Sequence, residues 1–233
     1  MIKLHPNMND SQRTVFGVLI LKDIAVTKEG KQAFKTLVLQ ELDDINKTHL
    51  NYERKTFSQT NEVIKPYIRY YKKFKKTYHV LPQLESILNG KAFPETTPLI
   101  QALFLTELKT ALLIAGHDLK KCRLPLTIQK SQGGETYMGS GNRSVVLKPN
   151  DICLKDNESF ILSIIYGQDE NTRITENTTD VLFLIDGVPG LGEKYVEDGL
   201  KTLLSYVRVF APTSSLSELK ILDTASLERR DNC

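Results

Sequence analysis

Cysteine is scarce in this 233-residue chain, and what there is does not cluster. Cys122, Cys153 and Cys233 are odd in number, far apart and free of any Cys-x-x-Cys pair, which argues against a disulfide frame and against a thiolate metal site. His5, His49, His79 and His117 are scattered without metal-ligand spacing, so neither a metal nor any other cofactor is expected. No apolar run approaches the length of a membrane span, and Met1-Ile-Lys-Leu-His-Pro-Asn lacks a signal core and a cleavage site. The expectation is a cytoplasmic protein with no membrane partner. Phosphate-loop chemistry is missing too. Gly134-Glu-Thr-Tyr-Met-Gly139-Ser140 has no lysine after its second glycine, and Gly187-Val-Pro-Gly190-Leu-Gly192 carries a proline and the wrong spacing for a dinucleotide fingerprint. Both read as turns. There are no repeats and no low-complexity segment.

What is present is ample hydrophobic material, 40% of residues, and a net charge of only +3. That sum is too small to announce a nucleic-acid binder, so the distribution of charge matters more. Between Lys65 and Lys76 six basic residues occur with no acid among them: Lys65, Arg69, Lys72, Lys73, Lys75 and Lys76.

The pattern along the chain separates helices from strands. Residues 14–26 are apolar and β-branched without helical period and predict a buried strand; 29–47 predict a helix with Phe34, Leu37, Val38, Leu42 and Ile45 on one face. Residues 51–60 are polar and read as a loop. A second helix is expected over 61–78, where Ile64, Tyr67, Tyr71, Phe74 and Tyr78 repeat at three and four, so that the lysines lie outside. Pro66 fits there only near the first turn. A short helix is expected around 84–88, and Pro98 suits the first turn of a central helix that Gly116 would stop. Extended runs follow at 124–129, 144–147, 152–154, 159–166 and 181–185, then a closing helix over 192–207 and a polar tail from 214. Because strands and helices are segregated, the expected fold is α+β, a mixed sheet with flanking helices. Its parts would be 1–60, a strand and helix packed on the same unit, 61–212 as the main domain, and 213–233 as the tail.

The central helix poses a charge problem. Glu107 shares its stripe with Ile100, Phe104, Ala111 and Ile114, and Lys109 shares one with Leu105, Ala102, Leu112 and Leu113. Two residues apart, they cannot satisfy each other, and uncompensated burial of either would cost several kcal/mol.

Further on stand Gly141-Asn142-Arg143-Ser144-Val145-Val146-Leu147, Asp151, Ser163-Ile-Ile-Tyr166-Gly167-Gln-Asp169-Glu-Asn-Thr172-Arg173-Ile-Thr175, and a strand after Thr178. In this order, and together with Glu107-Leu-Lys and Gly116-His-Asp-Leu, they resemble the B3/B4 domain of the phenylalanyl-tRNA synthetase β chain, a part that edits amino acids and contacts RNA. The resemblance runs from about Pro66 to Pro212. It implies a B3/B4-like fold and an RNA or amino-acid context. Nothing resembles the motifs that activate ATP and amino acid, so a complete synthetase is not implied. The synthetase loop reads Pro-Leu-His-Ala-Phe-Asp; with its aspartate on Asp118, Ala115 stands where its histidine would be.

The reading that follows is an RNA-binding, tRNA-related domain with Arg69, Lys72, Lys73, Lys75 and Lys76 on the phosphate backbone. The partner would be tRNA or aminoacyl-tRNA, with an amino acid as a second ligand and no reading of DNA sequence. The alternatives are a trans-editing deacylase and a small-molecule binder. In the deacylase, His117, Asp118 and Glu107 would position a water. Lys109, Asn142, Tyr166, Asp169, Thr172 and Arg173 would hold the substrate, Arg173 by the planar fork that suits a carboxylate or phosphate. Glu107, Lys109, His117, Tyr166 and Arg173 are then expected in one polar cavity. The plainer possibilities are that Asp118 caps a short turn, that His117 is a polar plug, and that Arg173 closes a salt bridge, even to Glu107.

Overall fold

The computed structural model describes residues 1–9 and 12–228. In chain order the strands are β1 Ile2–Leu4, β2 Val15–Lys22, β3 Ile114–Asp118, β4 Leu126–Lys130, β5 Thr136–Gly139, β6 Arg143–Val146, β7 Ile152–Lys155, β8 Phe160–Ser163, β9 Gly167–Gln168, β10 Val181–Ile185 and β11 Ser215–Asp223. The helices are α1 Lys28–Thr48, α2 Arg54–Thr60, α3 Ile64–Lys73, α4 Val80–Leu88, α5 Pro98–Thr110, α6 Glu193–Phe210 and α7 Ala225–Glu228. The architecture is α+β.

Two strands without alternation, β2 and β10, are buried on both faces, as continuous apolar runs must be. They form the centre of a four-stranded antiparallel sheet in the order β11-β2-β10-β3. Val196, Leu200, Leu203 and Val207 of α6 are buried beside it, and Gly17 lets α6 approach: a Cβ there would lie 2.8 Å from Val196 Cγ1. Gly187, just past β10, sits tighter still, since its Cβ would lie 2.1 Å from the Val15 carbonyl oxygen. The second sheet runs β1-β4-β7-β8-β9, parallel only between β1 and β4, and β5 pairs with β6 as a separate hairpin. The four-stranded sheet thus takes strands from the first sixty residues, the middle and the end of the chain.

Three local expectations are corrected. The central helix ends at Thr110, not Gly116: Ala111 turns left-handed at φ 58°, and Gly116-His117-Asp118 lie inside the buried strand β3. Gly116 is there for packing, because a Cβ would meet Ile174 Cδ1 at 2.7 Å. Residues 54–60, read as loop, are the helix α2. Its Phe57 and the preceding Tyr52 pack edge-on with His49, and Arg54 reaches across to Glu85, so side-chain contacts outside the helix supply what its polar sequence lacks. The segment after 214, read as tail, is the nine-residue β11, whose Leu216 to Asp223 pair with Leu21 to Val15 across one bulge. A polar, half-exposed strand is what an edge position requires. Residues 229–233 of that segment lie outside the described residues.

The basic helix is shorter than its periodicity, spanning 64–73 with Pro66 in its first turn and Lys75 left-handed after it. Its aromatic stripe faces the core. Tyr67, Tyr70, Tyr71, Phe74 and Tyr78 are all buried, and Tyr67 stacks on Tyr78 at 4.7 Å.

Candidate functional site

Strand β3 throws successive side chains to opposite faces, so His117 and Asp118 part company at once. His117 Nδ1 lies 2.6 Å from Thr172 Oγ1, and the Thr172 hydroxyl bonds in turn to Asp169 Oδ1. The other Asp169 oxygen accepts the backbone N–H groups of Asn171 and Thr172, each at 3.1 Å. A carboxylate that already accepts two amides is the acceptor for the threonine hydroxyl as well. Thr172 therefore donates to Asp169 and accepts from His117 Nδ1–H. That tautomer leaves His117 Nε2 with a lone pair, buried and without a hydrogen-bond partner among the described residues. Full burial pushes the imidazole down to about 4, so it is neutral near pH 7. Burial also raises the Asp169 carboxyl, against the pull of the Thr172 hydroxyl and amide.

Asp118 is spent on structure. One carboxylate oxygen accepts from Thr178 Oγ1 at 2.9 Å and the other from the Lys120 N–H at 3.1 Å, fixing the turn that follows β3. Beside this group opens a cavity of about 500 Å³ whose walls include Asp169, Thr172, Asp156, Lys120, Lys121 and Arg123. Part of its charge is already paired, Arg123 with Glu158 at 2.8 Å and Lys120 with Asp180 at 3.7 Å.

Of the remaining candidates Arg173 adjoins this group by a backbone bridge to His117, though its side chain turns away, and the others lie apart. Glu107 is buried elsewhere, its Oε1 accepting the Ile114 N–H at 2.9 Å across the turn that ends α5. Loss of hydration pushes its carboxyl up to about 8, the Ile114 amide opposing. Burial likewise raises Asp186 well above the usual carboxylate range, with the Glu107 charge adding to the rise. Lys109 turns outward to Glu41 at 2.7 Å, and Arg173 closes on Glu170 at 3.0 Å rather than on Glu107. Asn142 occupies the exposed turn of the β5-β6 hairpin at φ 56°. Tyr166, half-buried, lies under Lys76 Nζ, 4.3 Å from its ring centroid. The expected single cavity is thus divided: among the described residues no side-chain hydrogen bond or ion pair links Glu107, Lys109, Tyr166 or Arg173 to the His117 group. Nor do three His, Cys, Asp or Glu side chains of the described residues gather as a metal site would require.

A network not foreseen in the sequence centres on Asp151. Its carboxylate, fully buried, accepts from Tyr70 Oη at 2.7 Å and from the Ser163 hydroxyl, while Tyr70 Oη accepts the Ile152 N–H at 2.6 Å. Desolvation raises it to about 6. In the sequence, Asp151 and Ser163 stand only among the residues that carry the B3/B4 resemblance, and nothing there points to Tyr70 as their partner.

The basic face itself is intact. Arg69, Lys72, Lys73 and Lys75 are exposed, and among the described residues none of them, nor Lys76, pairs with a carboxylate. Elsewhere the surface cations Lys47, Arg54, Lys109, Arg173 and Lys194 do. The tyrosine hydroxyls beneath are bound inside: Tyr67 donates to the Asp186 carbonyl at 2.7 Å, Tyr71 to that of Ile164 at 2.6 Å, and Tyr78 to that of Ala111 at 2.7 Å. These rings are not available to stack on bases.

Mixed sheets laid over a core of tyrosines and buried carboxyls define the class, an α+β domain with an internal polar network. The B3/4 domain family model matches residues 67–205, more than half of the chain, and the protein belongs to that family. Among solved structures, an N-terminal fragment of the phenylalanyl-tRNA synthetase β-subunit from Pyrococcus horikoshii is similar to it, with 12% identity and a TM-score of 0.46, over 95% of this chain and 50% of that one. The chain spans about half the length of that fragment. No curated protein matches it. No helix of the described residues is long and apolar enough to cross a membrane.

Proposed function

We propose that this B3/4 domain binds RNA, in a tRNA-related role, and that α3 and the turn after it carry the contact. The observation behind the reading is five cations in eight residues, Arg69 to Lys76, without a carboxylate partner among the described residues, on a face whose aromatics are locked inward. A solvated helix end needs fewer. One or two lysines offset a helix C-terminus, a gain of about 0.3–1 kcal/mol, and Lys72 and Lys73 in the last turn of α3 already meet that need. Such a face grips phosphates and reads no bases. Changing Lys72, Lys73, Lys75 and Lys76 together to Glu is expected to weaken filter binding of many tRNAs alike and to flatten the salt dependence, with folding spared. Unchanged affinity at low salt would reassign the face to solubility.

A second reading, hydrolysis of a mischarged aminoacyl-tRNA in trans, draws on the 500 Å³ cavity beside the His117–Thr172–Asp169 chain. It ranks lower because an enclosed imidazole held near pKa 4 is a weak base at neutral pH. If a panel of mischarged tRNAs reveals deacylation, His117→Ala is expected to reduce it about a hundredfold or more with little change in tRNA affinity. Absence of ester loss across the panel leaves the binding reading alone.

A further inference from the structure

The basic face does not end in open solvent on every side. Along α3, Arg69 and Lys73 are four residues apart and share a stripe, as do Tyr70 and Phe74 beside them. Lys73, Lys130, Tyr70 and Phe74 line a cavity of about 440 Å³ closed by Pro149, Asn150, Ile152 and Pro189. Arg69 lies at its rim: its Nη1 would be 3.7 Å from a Cβ built on Gly190, the residue after Pro189. Lys148 brings a further cation nearby and donates to the Phe74 carbonyl at 3.0 Å, which occupies one of the free oxygens at the end of α3. Among the described residues no Asp or Glu lines the space. Asp151 is behind the wall, turned to Tyr70 and Ser163.

The walls therefore have two characters. The charged groups are Lys73 and Arg69, with Lys130 also in the wall; the rest is proline rings, Ile152, Tyr70 and Phe74. A bare phosphate would use only the first, and an apolar ligand only the second. A flat ring joined to a phosphate uses both, and the volume falls within the roughly 300–1,000 Å³ usual for small-ligand sites. We propose that this cavity seats one unpaired nucleotide, its phosphate on Lys73 and Arg69 and its base against Pro149 and Pro189. The choice of polymer rests on the RNA-binding reading; the pocket chemistry does not. Docked here, a looped-out nucleotide would add a fixed register to a face that otherwise grips any phosphate chain.

The test uses the full chain labelled with ¹⁵N, titrated with adenosine 5′-monophosphate, adenosine and inorganic phosphate, alongside filter binding of tRNA. Adenosine 5′-monophosphate is expected to move the amide signals of Asn150, Ile152 and Phe74 and to bind several-fold tighter than either half alone. Lys73→Ala should weaken it about tenfold, the loss of one charge-assisted contact, whereas Lys72→Ala should not. Equal loss in both variants, or phosphate as effective as the nucleotide, would overturn the pocket in favour of diffuse charge. If tRNA binds while the nucleotide leaves these amides unmoved, the inference fails and the RNA reading stands. If the nucleotide seats and no tRNA binds, the pocket stands and the RNA reading fails.

Discussion

Replacing Glu107 by Gln should change how stability depends on pH, and the structure sets both the sign and the size. The Glu107 carboxyl is 4% exposed, accepts the Ile114 N–H, and is pushed up from 4.5 to about 8. The folded state then holds a proton that the unfolded chain releases, so its contribution is full below pH 4.5 and is lost as pH rises to about 8. His117 acts the other way. Its pKa falls from 6.5 to about 4, so its neutral burial costs nothing above pH 6.5 and destabilises progressively below it. Between 4.5 and 6.5 the two slopes oppose. Above 6.5 only the acids are left, and the 1.5 units from 6.5 to 8 at about 1.4 kcal/mol each amount to about 2 kcal/mol for Glu107. Gln keeps an oxygen for Ile114 and, like the protonated acid it replaces, is neutral, but it stays so at every pH. The stability gap between variant and parent should therefore shift in the variant's favour by about 2 kcal/mol from pH 6.5 to pH 8. Urea unfolding at the two pH values measures this directly. A gap that stays constant would refute the claim that Glu107 is held protonated by burial.

Thr172→Val keeps the shape but removes the hydroxyl between His117 and Asp169, leaving Nδ1–H and a carboxylate oxygen short of a partner. A loss of about 1–3 kcal/mol in urea unfolding is expected, and a change under 0.5 kcal/mol would mean that water replaces the hydroxyl. Ending the chain after Thr213 deletes β11 and bares the edge of β2. Loss of dispersion in the amide NMR spectrum is expected; a shortened chain that folds as the parent does would make β11 an accessory to the sheet.

How much of this was legible before folding depended on whether a residue's role is local. Apolar period alone placed β2, α1, β10 and α6, since burial of a stripe or a continuous run is written in the spacing of its residues. The inward tyrosines and outward lysines of α3 followed from the same rule. The motif order identified the B3/B4 resemblance without any geometry. Tertiary structure decided the rest, because it turns on partners far apart in sequence. Gly116 reads as a helix stop until β10 pairs with its strand, and residues 215–223 read as a tail until β2 presents an edge. Glu107 and Lys109 look alike on a helical wheel, yet one is held by an amide seven residues on and the other by Glu41, 68 residues away. His117 and Asp118 are neighbours in the chain and strangers in space, since a strand sends them to opposite faces, and only the fold brings Thr172 and Asp169 to the first and Thr178 to the second.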